Sequence, residues 1–120
     1  MLIAGAWTCY AQSPPPFTAD YYVMNPEHYL NKTVTVAIAF LTPRNEQRAD
    51  HLRVLDAYTY NLGRSGGHIS VVTRKSSAQK LITVCGTRLQ FSGRRVRTTR
   101  LQGTFLQEKG GRHGYYFLVP

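Results

Sequence analysis

The chain is poor in acidic residues: six Asp and Glu stand against fifteen Lys and Arg, giving a formal net charge of +9. Acid–base catalysis needs positioned carboxylates, and Asp20, Glu27, Glu46, Asp50, Asp56 and Glu108 are spread over separate segments. Asp56 alone falls within a stretch of otherwise large apolar side chains, where it reads as a solvent-facing or bulge-associated acid. Cysteine is scarcer still. Cys9 and Cys85 form no C-x-x-C pair and have no Cys–His spacing suited to zinc, and if the N-terminal segment that carries Cys9 is removed, only Cys85 remains and a disulfide framework is impossible. The four histidines, His28, His51, His68 and His113, are scattered. No G-x-S-x-G, P-loop or G-x-G-x-x-G occurs, and no apolar run approaches the roughly 18 residues that a membrane span requires. Catalytic residues, metal ligands and cofactors are therefore not expected, and neither is a membrane span.

What is present is enough for one modest core: 120 residues, 42% hydrophobic and 12% aromatic. Met1 to Trp7 is a short apolar run, and Cys9 and Ala11 are small residues of the kind a signal peptidase accepts. Ser13-Pro14-Pro15-Pro16 follows as an extended stretch that no helix crosses. Residues 1–24 are expected to be leader and proline-rich linker, and residues 25–120 the folded domain. Export, to the periplasm or beyond the cell, is the expected destination.

Asn25-Pro26-Glu27 has the order of a helix start and predicts a short helical turn through Leu30. Val34, Val36, Ile38 and Phe40 alternate with Thr33, Thr35, Ala37 and Ala39, which predicts a strand with one apolar face over Thr33 to Leu41. Leu52 to Tyr60 predicts a second strand. Its apolar pattern shifts from Leu52 and Val54 to Leu55, Ala57 and Thr59, as a β-bulge near Leu55 would produce. Asn61 to Gly67, with three glycines, predicts a hairpin loop, and Ile69 to Thr73 a third strand. Ala78, Leu81, Ile82 and Cys85 then follow helical spacing, with Ser76 and Gln79 as a capping box and Gly86 at the C-terminal end. Val96 to Leu106 and Tyr115 to Val119 predict two last strands joined through Glu108 to Gly114, with Gly103 as a bend or point of close approach.

The element order is β-β-β-α-β-β, preceded by a short N-terminal helical turn: an all-β domain with one helix. That order, the helix between strands three and four and the irregular second strand resemble the five-stranded oligonucleotide/oligosaccharide-binding (OB) barrel. The resemblance covers residues 25 to 120 and rests on no diagnostic motif. It implies a ligand floor on strands two and three, with Tyr58, Tyr60, His68, Ser70 and Arg74. It also implies walls from Arg44 and Arg48 on one side and Lys109, Arg112 and His113 on the other. Whether Tyr58 and Tyr60 face the ligand or the core depends on the bulge, since a one-residue slip reverses a strand's faces.

Arginine outnumbers lysine eleven to four, and Arg88, Arg94, Arg95, Arg97 and Arg100 fall within thirteen residues. Planar guanidinium groups bind phosphate and carboxylate bidentately and stack on bases. The expected function is a non-enzymatic binding module for an anionic partner, foremost single-stranded nucleic acid. An exported barrel that holds an acidic glycan or an envelope protein is the alternative. The candidate ligand residues are Tyr58, Tyr60, His68, Arg74, Arg44, Arg48, Arg94, Arg95, Arg97 and Arg112.

Overall fold

The computed structural model describes residues 13–44, 49–87, 97–108 and 114–120. Five strands close into a barrel: β1 (Thr33–Pro43), β2 (Leu52–Asn61), β3 (Arg64–Arg74), β4 (Thr99–Gln107) and β5 (Tyr115–Val119). Their order around the barrel is β1-β2-β3-β5-β4, and β4 pairs back onto β1. Only β3 and β5 run parallel, and the chain between them supplies helix α3 (Lys75–Cys85) and β4 as the crossover. The OB-like order expected from the sequence is the order present. Two short helices, α1 (Ala19–Val23) and α2 (Pro26–Tyr29), precede the barrel.

Alternation fills the interior. Val36 and Ile38 of β1, Leu55 and Ala57 of β2, Ile69 and Val71 of β3, Phe105 of β4, and Phe117 and Val119 of β5 form one cluster, and Phe105 and Phe117 lie at its centre, wholly buried. The two ends of the barrel are closed by different segments. At one end the last turn of α3 inserts Cys85, with Leu81 and Ile82 packed alongside, and the Gly86 carbonyl accepts a hydrogen bond from Leu41 N–H. At the other end α1 inserts Ala19 and Tyr22. The Tyr22 ring lies 6.0 Å from Phe105 and 5.7 Å from Phe117, and its hydroxyl donates to the Thr35 carbonyl.

The segment before α1 is held onto the same end by polar contacts. Asn61 Nδ2 donates to the Pro16 carbonyl at 2.8 Å, and Ala37 N–H to the Phe17 carbonyl at 2.8 Å. Ala19 N–H donates to Thr59 Oγ1 at 2.9 Å, which in turn donates to the Gly67 carbonyl. Thr18 is fully buried and the Arg100 guanidinium covers the Phe17 ring at 4.7 Å. Residues 13–24, the end of the stretch expected to be leader and linker, thus pack against the barrel. The apolar run Met1 to Trp7, the expected cleavage site at Ala11 and Cys9 lie outside the described residues.

Several local expectations are corrected. There is no bulge near Leu55: Val54, Leu55 and Asp56 pair in unbroken register with Val72, Val71 and Ser70. Val54 and Val72 are a buried cross-strand pair outside the barrel's core cluster, so the apparent change of phase is a strand covered on both faces. The bulges lie elsewhere. One in β1 falls between Ile38 and Phe40, the other in the β2–β3 ladder between Tyr58 and Tyr60. The loop expected over Asn61 to Gly67 contracts to the turn Leu62-Gly63, both residues at positive φ, as a two-residue hairpin of the primed type requires. The capping box is not formed either: β3 runs straight into α3, Arg74 is the N-cap with no side-chain bond, and Lys75 N–H donates to the His51 carbonyl. Among the described residues no helix is long and apolar enough to cross a membrane.

Burial has a pH consequence. It pushes the Tyr22 phenol from its ordinary value near 10 up to about 12, and the Cys85 thiol from near 9 up to about 11. The unfolded chain releases these protons first. The stabilisation is therefore whole below about pH 9 and is lost progressively as pH rises through 11 and 12. Thermal melts between pH 8 and 12 are expected to show this alkaline loss, and Tyr22→Phe to show a shallower one. Equal steepness in the two chains would remove Tyr22 from the account.

Candidate functional site

The bulge in β1 decides what faces outward. Ile38 points into the barrel opposite Thr59; the extra residue, Ala39, then lets Phe40 pair with Tyr58 on the outer face and Leu41 with Ala57 on the inner one. Tyr58 is in turn the partner of His68 on β3. Three rings therefore cross three strands in one row. Phe40 and Tyr58 stack with centroids 4.5 Å apart and planes 17° apart, and Tyr58 and His68 follow at 5.2 Å and 36°. Exposure rises along the row, from Phe40 at 8% through half-buried Tyr58 to exposed His68.

The next row along the same face is polar: Thr42, Asp56, Ser70 and Tyr116 are successive partners on β1, β2, β3 and β5. Arg44, just past the end of β1, reaches back over it. Its Nη1 donates to Ser70 Oγ at 2.8 Å and lies 3.6 Å from Asp56 Oδ1. Both groups of this ion pair are partly solvated, so its contribution to stability is small, but it sets a guanidinium beside a carboxylate next to the aromatic row. A cleft of about 260 Å³ opens where β3 and β5 begin to pair, lined by His68, Ser70, Asp56, Arg44, Val23 and Tyr115 among others.

Tyr58, His68, Ser70 and Arg44 are thus brought together as the sequence leads one to expect. Tyr60 stands beyond the second bulge, opposite Ser65 near the hairpin turn. Arg74 is on the same face as His68 but six residues along β3, roughly 20 Å away at the rise of an extended strand. It lines a different recess with His51, Lys75 and Ser76 at the start of α3. Arg97 is exposed two residues before Thr99, the partner of Ile38. Arg100 is the partner of Ala37 and is engaged with Phe17. Arg48, Arg94, Arg95 and Arg112 lie outside the described residues, as do Arg88, Lys109 and His113. Two members of the site are not among the residues expected from sequence. Alternation with Val34, Val36 and Ile38 puts Phe40 on the inner face; the one signal against it is Leu41, a second large apolar residue directly after it. Asp56 is the other, since a lone acid in a strand has the bland reading of a solvent-facing group.

Among the described residues no three His, Cys, Asp or Glu side chains converge to hold a metal ion. No protein-family model, curated protein or solved structure matches the chain.

Proposed function

We propose that the chain is a binding module for single-stranded nucleic acid, with the outer face of β1, β2 and β3 as the contact surface. The observation that carries this reading is the Phe40–Tyr58–His68 row, a stack of rings whose exposure increases toward a cleft. Bases stack on such side chains without regard to sequence, each for about 1 to 3 kcal/mol. The positive charge supplies the other half. A surface at +9 attracts a phosphate chain from any direction, and Arg44 offsets the one carboxylate among the described residues of the aromatic and polar rows.

Titration of the full chain against a labelled oligothymidylate, at low and near-physiological salt and with heparin as competitor, tests the proposal. Submicromolar binding that persists at the higher salt and resists heparin is the expected result. Binding that collapses with salt or transfers to heparin would mean that charge alone drives it, and would favour an acidic glycan. Absence of binding at either salt would remove nucleic acid and turn attention to an envelope protein. Replacing Arg94, Arg95 and Arg97 together by Ala is expected to weaken binding and to flatten its dependence on log salt by about 0.7 for each phosphate that is no longer neutralised. An unchanged slope would discard that cluster.

A further inference from the structure

Resting on the nucleic-acid reading of this face, the geometry points to the cleft beside His68 as a single-base pocket that prefers guanine. At about 260 Å³ the cleft lies below the usual range for drug-sized ligands and suits one ring system. Its wall at the aromatic end is His68, whose other neighbour is Tyr58, so a base seated there extends the row Phe40–Tyr58–His68 by one member. Its polar wall is Asp56 with Ser70 and Arg44.

Asp56 decides which base. A carboxylate only accepts hydrogen bonds, and it can accept two side by side. Arg44 Nη1 lies 3.6 Å from Oδ1, beyond hydrogen-bond distance, and a carboxylate has about four lone-pair sites, so Asp56 can accept from an incoming donor while paired with Arg44. Guanine is the base that carries two adjacent donors, N1–H and the N2 amino group, on one edge. Adenine and cytosine offer one amino group beside an acceptor nitrogen. Thymine and uracil offer one N–H between two carbonyl oxygens, which a carboxylate repels. The expected order is guanine, then adenine and cytosine, then thymine. Ser70 and Arg44 hold the carboxylate side of the pocket in place, since Arg44 is tied to both Ser70 and Asp56.

The test compares a labelled twelve-residue oligothymidylate with three relatives that carry one central guanine, adenine or cytosine. The guanine oligonucleotide is expected to bind the wild-type chain about 10-fold more tightly than the all-thymine one, the low end of what one good bidentate contact discriminates. Asp56→Asn replaces one acceptor by a donor and is expected to remove that preference, so that the guanine strand binds this variant no more tightly than the adenine and cytosine strands do. Competition by free guanosine and thymidine monophosphates on the wild-type chain gives the same ranking without any substitution. If all four strands bind equally, the pocket is overturned and the aromatic face stands. If a guanine preference survives Asp56→Asn in a folded chain, Asp56 is not the reader. If no strand binds at all, the proposed function itself fails, and the pocket with it.

Discussion

Replacing Gly66 by Ala is expected to destabilise the barrel by about 3 kcal/mol, the upper part of the range for overpacking a closed interior. A methyl group at this position would sit 2.0 Å from Thr18 Cβ and 2.3 Å from its Oγ1. Thr18 cannot step aside, because it is fully buried and its hydroxyl donates to the Pro15 carbonyl at 2.6 Å. The clash is therefore relieved only by lifting the segment that carries Thr18, Ala19 and Tyr22 off the barrel end. A chain that begins at residue 25 forgoes the same packing directly. Its expected penalty is about 3 to 5 kcal/mol, the cost of emptying a large aromatic site from a core, against a total stability of about 5 to 15 kcal/mol for such domains. Denaturant midpoints of the four chains, long and short with Gly or Ala at residue 66, close a double cycle. In the short chain Gly66→Ala is expected to cost almost nothing, because its clash partner is gone. Equal costs in both lengths would show that the strand itself requires glycine there.

Much of this barrel is legible from alternation and spacing. β1, β2, β5 and α3 fall where Val34-Val36-Ile38, Leu55-Ala57, Phe117-Val119 and Ala78-Leu81-Ile82-Cys85 put them, because a strand buried on its inner face repeats every two residues and a helix packed on a barrel end repeats every three to four. What the sequence hides is tertiary in origin. Ala19-Asp20-Tyr21-Tyr22-Val23 has no helical signature; its five residues form a helix where Tyr22 fits the barrel end. Gly66 and Gly67 look like loop glycines, yet they lie within β3, where Thr18 and Asp20 approach too closely for a side chain and Gly67 adopts a positive φ. The bulge at Ala39 leaves no mark beyond two apolar residues in succession, and it is that bulge which turns Phe40 outward and creates the aromatic row. The floor of the site is thus readable through Tyr58, His68 and Ser70, and its two remaining contributors, Phe40 and Asp56, are not.

Tyr58 is the centre of that row, and Tyr58→Ala is expected to have the largest effect on binding of any single change on this face. The ring stacks on Phe40 on one side and supports His68 on the other, so its removal takes away two ring pairs at once. Removing one base-stacking contribution corresponds to about 1 to 3 kcal/mol, which is roughly a 5- to 150-fold drop in affinity for a single strand. The fold should survive the change. Tyr58 is half-buried on the outer face and is not among the residues of the interior cluster, so its removal costs the aromatic pairs, about 0.5 to 1.5 kcal/mol each, and no core cavity. His68→Ala removes the ring against which the cleft seats a base while leaving Phe40 and Tyr58 stacked, and is expected to weaken binding by up to the same factor at less cost to stability. Tyr58→Phe keeps the ring and is expected to bind as the wild type does. The comparison separates two roles that a static row of rings leaves together. If Tyr58→Ala melts without cooperativity while Tyr58→Phe does not, the row is a brace that holds β1, β2 and β3 together. If Tyr58→Ala melts cooperatively, within about 3 kcal/mol of wild type, and no longer binds the strand, the row is a surface on which bases stack.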